Sequence, residues 1–118
     1  MRERVLIVDD HDGFRAVARK LLSGAGFDVV GEAADGRAGL AAARATRPDV
    51  VLLDVQLPDV DGFRVAAELA GDPQPPAVVL VSTRSSEEYG GLIGRSPARG
   101  FIAKAELTGG RLRDLLRP

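Results

Sequence analysis

The chain has 118 residues, the size of a single domain with one hydrophobic core. Its 16 basic and 17 acidic residues nearly cancel, so the charge gives no general attraction to nucleic acid or anionic lipid. The absence of cysteine excludes disulfides and thiolate sites, and a single histidine excludes multi-histidine zinc sites. No apolar stretch reaches the roughly 20 residues of a membrane span, and no signal-peptide pattern is present. We expect one soluble, cytoplasmic domain spanning residues 1–118.

Apolar, β-branched runs alternate with segments of helical periodicity. The runs predict five strands, at residues 4–9, 28–32, 49–54, 77–82 and 100–104. Asp10 or Asp12 is the expected N-cap residue of the first helix, and Gly24 or Gly26 is expected to end it. Its predicted apolar face consists of Phe14, Val17, Ala18, Leu21 and Leu22.

The remaining helices are predicted from the same periodicity. The second covers residues 36–46 and stops at Pro48, and the last begins at Leu107 or Thr108. The third places Phe63, Ala66, Ala67 and Ala70 on one face, and the last turns Leu112, Leu115 and Leu116 inward. Residues 86–95 form the weakest helix, since Gly90, Gly91 and Gly94 each cost about 1 kcal/mol relative to Ala. We expect that segment to be short, irregular or mobile.

Five β-α units with continuously apolar central strands indicate an α/β fold, a doubly wound parallel sheet with helices on both faces. Right-handed crossovers and a polar second strand favour the strand order 2-1-3-4-5. Ligands bind such sheets beyond the carboxyl ends of the strands, where the winding reverses. That point lies between the first and third strands, which end at Asp9 and Asp54.

Polar side chains follow four of the five predicted strands. They are Asp9 and Asp10, Asp54, Ser82 and Lys104. Carboxylates crowded together are costly unless a cation lies among them. Mg²⁺ matches this set, because it takes hard oxygen ligands and often bridges carboxylates to a phosphate. Lys104 adds a point charge and Ser82 a hydrogen-bond donor, which together favour phosphoryl transfer.

Asp54 is the predicted phosphoryl acceptor, because it occupies the middle of this edge and is ionised at neutral pH. Asp9 and Asp10 are the predicted metal ligands, and Gln56 can add its backbone carbonyl. Each residue alone has a plainer interpretation, as a helix cap, a turn residue, a strand-end hydroxyl or a solvated ammonium. Their convergence on one edge favours a functional site.

Four motifs resemble the receiver domain of two-component response regulators. They are Val-Asp9-Asp10, Leu-Leu-Asp54-Val-Gln-Leu-Pro58-Asp-Val-Asp-Gly62, Val-Ser82-Thr and Phe101-Ile-Ala-Lys104. The resemblance covers essentially the whole chain, in order. The phrases Gly-Ala-Gly-Phe-Asp-Val-Val-Gly-Glu-Ala and Lys104-Ala-Glu-Leu are similar to receivers of LuxR/NarL-type helix-turn-helix regulators.

The resemblance implies a flavodoxin-like receiver fold and a phosphoryl group donated to Asp54 by a sensor histidine kinase. It implies Mg²⁺ held by Asp9, Asp10, Asp54 and the Gln56 carbonyl. Ser82 would move toward the phosphoryl group, and Phe101 would change rotamer with it. Partners, including a second copy in a homodimer, would use helix 5 or the face formed by helix 4, strand 5 and helix 5. DNA would be reached only through an output domain absent from this chain, which would control transcription.

Several neighbouring residues receive secondary roles. Thr83 stands where the family commonly has Ala and would narrow access to the phosphate, and Ala105 replaces a Pro often preceded by a cis peptide. Arg84 is either a solvated side chain or a partner of Gln56 in tuning phosphate lifetime. His11 is expected to be exposed or part of a cap, without a catalytic role. Pro58 and Gly62 are expected to serve the turn and the start of the third helix.

Two other classes of protein fit less well. A haloacid-dehalogenase-like phosphatase would pair its nucleophile with an acid two residues on, where this chain has Gln56, and a nucleotide or flavin carrier lacks its glycine-rich loop here. A receiver-like interaction module that is never phosphorylated is the remaining alternative. Its usual mark is loss of the acid pair, the acceptor or the lysine, and all of these are present.

Overall fold

Strands and helices alternate along the computed structural model, which describes residues 2–118. The strands are β1 (Arg4–Val8), β2 (Asp28–Ala33), β3 (Val50–Asp54), β4 (Ala77–Ser82) and β5 (Gly100–Ala103). The helices are α1 (Asp12–Gly24), α2 (Gly36–Thr46), α3 (Gly62–Ala70), α4 (Leu92–Arg95) and α5 (Gly109–Leu116). Two 3₁₀ turns, Ser86–Tyr89 and Lys104–Glu106, precede α4 and α5. None of the helices in this part of the chain combines the length and hydropathy that crossing a membrane requires.

All five strands are parallel and lie in the order β2-β1-β3-β4-β5, which confirms the predicted fold and topology. The register sets Val8 beside Leu53 and Asp54 beside Val81. The carboxyl ends of β1, β3 and β4 are therefore level with one another. This alignment brings the residues that follow these strands to one edge of the sheet.

The core has a layer on each side of the sheet. On one side, strand residues such as Ile7 and Leu52 pack against α1 and α5. On the other side, Val8 and Leu53 pack against α2 and α3. Each fully buried Val or Leu stabilises the fold by about 1.5–3 kcal/mol relative to an exposed one. Because both faces are covered, the central strands are continuously apolar.

Helix α1 differs from its prediction at its start and along its outer edge. His11, rather than Asp10 or Asp12, is the N-cap residue, and its side chain makes no capping hydrogen bond. The buried stripe is narrow, with Ala18 and Leu22 fully buried, whereas Val17 and Leu21 are 55% and 42% exposed. The prediction of five inward side chains was wrong for these two, because α1 meets the sheet only along positions i, i+4 and i+8 from Phe14.

Helix α3 also presents a different face from the predicted one. Val65, Ala66 and Leu69 are buried, whereas Ala67 and Ala70 are exposed. Rotation of about 100° per residue places Val65 and Leu69 beside Ala66, and the larger side chains fill the space next to the sheet. The inward position was correct for Ala66 and wrong for the other two alanines.

The segment 86–95 is irregular, as predicted. A 3₁₀ turn ends at Tyr89, Gly90 adopts a φ of +58°, and α4 has only four residues, none of them buried. Helix α5 begins after Thr108, whose hydroxyl accepts a hydrogen bond from the Arg111 N–H at 3.0 Å. Its inward residues follow the prediction, with Leu112 fully buried.

Candidate functional site

Asp54 is the last residue of β3 and is almost completely buried, with 3% of its surface exposed. Its Oδ1 accepts a hydrogen bond from the Gln56 N–H at 3.1 Å. Its Oδ2 accepts one from the Lys104 ammonium at 3.3 Å. The carboxylate is thus fixed by its own loop on one side and by a cation from the end of β5 on the other.

Asp9 follows β1 and is fully buried. Its Oδ1 accepts a hydrogen bond from the His11 N–H at 2.8 Å. Its Oδ2 lies 2.6 Å from Lys104 Nζ, at an angle outside hydrogen-bond geometry, and has no hydrogen-bond donor among residues 2–118. The neighbouring Asp10 side chain is 34% exposed and borders the cluster from the solvent side.

Lys104 bridges the two buried acids. Its side chain is 9% exposed, and its ammonium also lies 4.7 Å from the centre of the Phe14 ring, a cation–π contact. A lysine here, rather than an arginine, provides a compact charge that fits between two carboxylates. The ammonium therefore neutralises part of the negative charge where β1, β3 and β5 end.

Burial and the negative charge of Asp9 raise the pKa of Asp54 above the usual aspartate value. The Gln56 N–H and Lys104 oppose this effect only in part. The cluster thus retains an excess of negative charge, which a further cation would relieve.

The residues present fit a divalent cation. Asp9, Asp10, His11 and Asp54 each offer a ligand atom, and these atoms lie within 4.8 Å of one another. Three of the four are carboxylates, and the Asp9 Oδ2 atom is buried without a donor. This oxygen-rich set matches Mg²⁺ better than it matches softer metals.

His11 is exposed and caps α1, as expected, but its ring faces the site. Its Nδ1 atom lies 3.3 Å from Asp9 Oδ1, 3.2 Å from Asp10 Oδ1 and 3.5 Å from Lys104 Nζ. This placement was not predicted from the sequence. The only available signal was that His11 directly follows the acid pair.

Ser82 ends β4 and is buried, with 1% of its surface exposed. Its hydroxyl accepts a hydrogen bond from the Arg84 N–H at 3.0 Å and shares another with the Tyr89 hydroxyl at 2.6 Å. Its hydroxyl is thus engaged by the loop that follows β4. Tyr89 was not identified from the sequence, because no pattern connects a residue in a glycine-rich segment with one seven positions earlier.

Phe101 is half-buried and forms an aromatic cluster with two other rings. The Tyr89 ring centre lies 6.1 Å from that of Phe101 and 5.7 Å from that of Phe63. The Tyr89 and Phe63 rings meet edge to face. The predicted switch residue therefore contacts the side chain that holds Ser82.

The residues at the rim take the following positions. A Gln56 amide oriented with its oxygen toward Arg84 accepts from the guanidinium at 3.2 and 3.3 Å, and Arg84 is also exposed to solvent. Thr83 is exposed. The Lys104–Ala105 peptide bond is trans. Gly62 starts α3 against the backbone of Asp54, and an added Cβ would lie 2.3 Å from the Asp54 carbonyl oxygen.

Known proteins resemble the chain throughout. The family model described as the response regulator receiver domain matches residues 5–117. The transcriptional regulatory protein NarL of Mycobacterium tuberculosis is 36% identical over 98% of the chain and 58% of its own length. The transcription regulator BvgA of Bordetella pertussis is 36% identical over 90% of the chain and 51% of its own length.

Solved structures agree with these matches. The signal receiver domain of the M. tuberculosis response regulator NarL superposes with a TM-score of 0.87 at 34% identity, covering 99% of this chain and 98% of that one. The chemotaxis response regulator CheY4 of Vibrio cholerae gives 0.84 at 30% identity, covering 98% and 97%. The chain spans about half the length of the curated transcription regulators that it matches.

Proposed function

We propose that Asp54 is the phosphoryl acceptor of this chain, which belongs to the response regulator receiver domain family of two-component signal transduction. The observation that carries the proposal is the position of Asp54, a buried carboxylate held between Gln56 and Lys104 and close to the Asp9 carboxylate. A sensor histidine kinase is the proposed donor. Residues 1–118 would form one receiver domain.

The reaction is a transfer between two nucleophiles. A carboxylate oxygen of Asp54 forms a bond to phosphorus, and the bond from phosphorus to the imidazole nitrogen of the kinase's phosphohistidine breaks. The imidazole leaves with the bonding electrons. Lys104 stabilises the negative charge on the phosphoryl oxygens, and Ser82 would donate a hydrogen bond to one of them.

Receiver domains bind Mg²⁺ at an acidic pocket, and this chain has such a cluster. We propose that Asp9, Asp10 and Asp54, with the backbone carbonyl of Gln56, are its ligands here. When bound, Mg²⁺ would supply the positive charge that the phosphoryl oxygens and the carboxylates share. Asp9 would hold the cation through its buried carboxylate, whose Oδ2 also lies 2.6 Å from the Lys104 ammonium.

The proposed output is a conformational change. A phosphoryl group on Asp54 would draw Ser82 toward it, and Phe101 would move with the loop after β4. The surface of α4, β5 and α5 would then bind a partner, including a second copy of the chain. Control of transcription would require a DNA-binding domain in addition to these 118 residues. Because the phosphoryl group would be transferred to the protein itself, we do not propose an enzyme that releases a modified external product.

The test is the intact mass after incubation with Mg²⁺ and a small phosphodonor such as acetyl phosphate. We expect the mass of one phosphoryl group to be added, and Asp54→Asn to abolish the gain. Asp12→Asn is the matched control, because Asp12 is a neighbouring carboxylate whose side chain is 91% exposed. An unmodified wild-type protein would instead support a phosphorylation-independent interaction module.

A further inference from the structure

The Ser82 hydroxyl is held by the loop that follows it. The Arg84 N–H donates to Ser82 Oγ at 3.0 Å, and the Tyr89 hydroxyl lies 2.6 Å from the same atom. Whichever oxygen carries the shared proton, the short contact fixes the rotamer of a fully enclosed serine. A Ser82 hydroxyl that turned toward a phosphoryl group on Asp54 would leave the position in which it contacts Tyr89.

Tyr89 is well placed to exert this hold. Its ring lies between Phe63 of α3 and Phe101 of β5, with centre-to-centre distances of 5.7 and 6.1 Å. Phe101 has no hydroxyl, so it can couple to Ser82 only through packing. The polar link between the serine and the aromatic cluster therefore comes from Tyr89 alone.

The segment that carries Tyr89 can be released at low cost. Gly90 follows directly with a φ of +58°, and the four residues of α4 beyond it are not buried. Apart from the contacts of the Tyr89 ring, few apolar contacts oppose a rearrangement of this stretch. At the start of the 3₁₀ turn the Ser85 N–H donates to Glu88 Oε2 at 2.8 Å, and at its end the Gly90 N–H donates to the Glu87 carbonyl at 3.1 Å.

We infer that Tyr89 is a positioning residue that holds the Ser82 hydroxyl in the unphosphorylated domain and frees segment 86–95 when Ser82 leaves it. This inference rests on the proposed function, because it concerns the response to a phosphoryl group on Asp54. The hydrogen bond lowers the free energy of the resting state only. Its removal should therefore shift the population toward the state that binds phosphoryl.

The test uses beryllofluoride, a stable mimic of the phosphoryl group, titrated with Mg²⁺ into the whole chain and followed by calorimetry. Tyr89→Phe removes one oxygen and keeps the ring between Phe63 and Phe101. We expect it to bind the mimic about 2- to 10-fold more tightly than wild type, the range for loss of one hydrogen bond. In a Ser82→Ala background the same change should have no effect, because the partner hydroxyl is already absent.

Glu88→Gln is the matched control, since it weakens the start of the same turn without touching Ser82. A gain in affinity equal to that of Tyr89→Phe would show that general loosening of the turn is responsible, and would overturn the inference. An unchanged affinity in Tyr89→Phe, or a gain that persists with Ser82→Ala, would also overturn it. Wild-type protein that does not bind the mimic at all would instead refute the proposed function, and the inference with it.

A spectroscopic readout checks the contact without any phosphoryl mimic. Tyr89 is the only tyrosine and the chain has no tryptophan, so the tyrosine band, which lies at longer wavelength than the phenylalanine bands, reports this phenol alone. We expect Ser82→Ala to shift the tyrosine band of the resting protein, and beryllofluoride to shift the wild-type band in the same direction. A band insensitive to both changes would contradict the hydrogen bond.

Discussion

The Lys104 ammonium lies 2.6 Å from Asp9 Oδ2 and 3.3 Å from Asp54 Oδ2, so one cation holds two buried carboxylates together. These carboxylates come from strands that are neighbours in the sheet, and the lysine reaches them from the edge strand β5. One positive charge therefore faces two negative charges at the carboxyl end of the sheet. Substitutions that change this charge balance should therefore change the stability of the domain.

Lys104→Met should destabilise the domain at neutral pH without metal. Removing the ammonium leaves Asp9 and Asp54 buried and unpaired, a change that costs about 3 kcal/mol. Urea denaturation in the presence of a chelator measures this loss, and Mg²⁺ should restore part of it. Lys20→Met, an exposed substitution on α1, should change the unfolding free energy little; an equal loss in both variants would contradict the account.

Asp54→Asn should stabilise the metal-free domain at neutral pH. The raised pKa means that the folded state binds a proton more tightly than the unfolded state, so the ionised carboxylate reduces stability. The advantage of Asn over Asp should shrink as the pH falls through the raised folded pKa and should be smallest below the ordinary value of about 3.9. Thermal unfolding in chelator across this pH range measures the stability difference between Asp54→Asn and wild type. The sign of this difference would be reversed if ionisation of Asp54 stabilised the domain.

Gly62→Ala should destabilise the domain by about 2 kcal/mol or more, through overpacking. The new Cβ would meet backbone atoms of Asp54 and Val55 at 2.3 and 2.9 Å, and backbone cannot move aside as a flexible side chain can. Gly94→Ala is the control, because its Cβ would meet nothing within 4 Å. Denaturation should show that Gly94→Ala is neutral or stabilising, and comparable losses would rule out the steric explanation.

Glu32→Gln should lower stability at neutral pH and have no effect at low pH. Arg19 and Arg15 depress the pKa of Glu32 through hydrogen bonds and charge, against the opposing effect of burial. The stabilisation is present above the unfolded pKa of about 4.3 and is lost as the pH falls through the lower folded value. We expect a loss of about 0.5 kcal/mol at pH 7, since the pair is partly exposed. A difference between the variants that does not change with pH would point to packing instead.

The fold could be predicted because its signals are local. Continuously apolar central runs with helical segments between them predict a parallel sheet, and the more polar β2 marks its edge. The meeting of Asp9, Asp54 and Lys104 follows from the same reasoning, since parallel strands share their carboxyl ends. The phosphatase alternative was disfavoured by the residue type at one fixed position, because Gln56 stands where such a phosphatase would have a second acid.

The rest depends on side-chain direction, which sequence spacing does not determine. The inward turn of the His11 ring depends on the backbone between β1 and α1. The contact of Tyr89 with Ser82 depends on how an irregular, glycine-rich segment folds back. The exposure of Val17 and Leu21 likewise depends on how much of α1 the sheet covers. Apolar residues at helical spacing indicate a helix but do not fix the width of its buried stripe.

The central claim is that Asp54 is the residue that receives the phosphoryl group. Reduction of the phosphorylated protein with borohydride converts an aspartyl phosphate to homoserine, and tandem mass spectrometry of its peptides then locates the modified residue. We predict homoserine at position 54 and unmodified aspartate at positions 9 and 10. Homoserine at position 9 or 10, with aspartate retained at 54, would contradict the account.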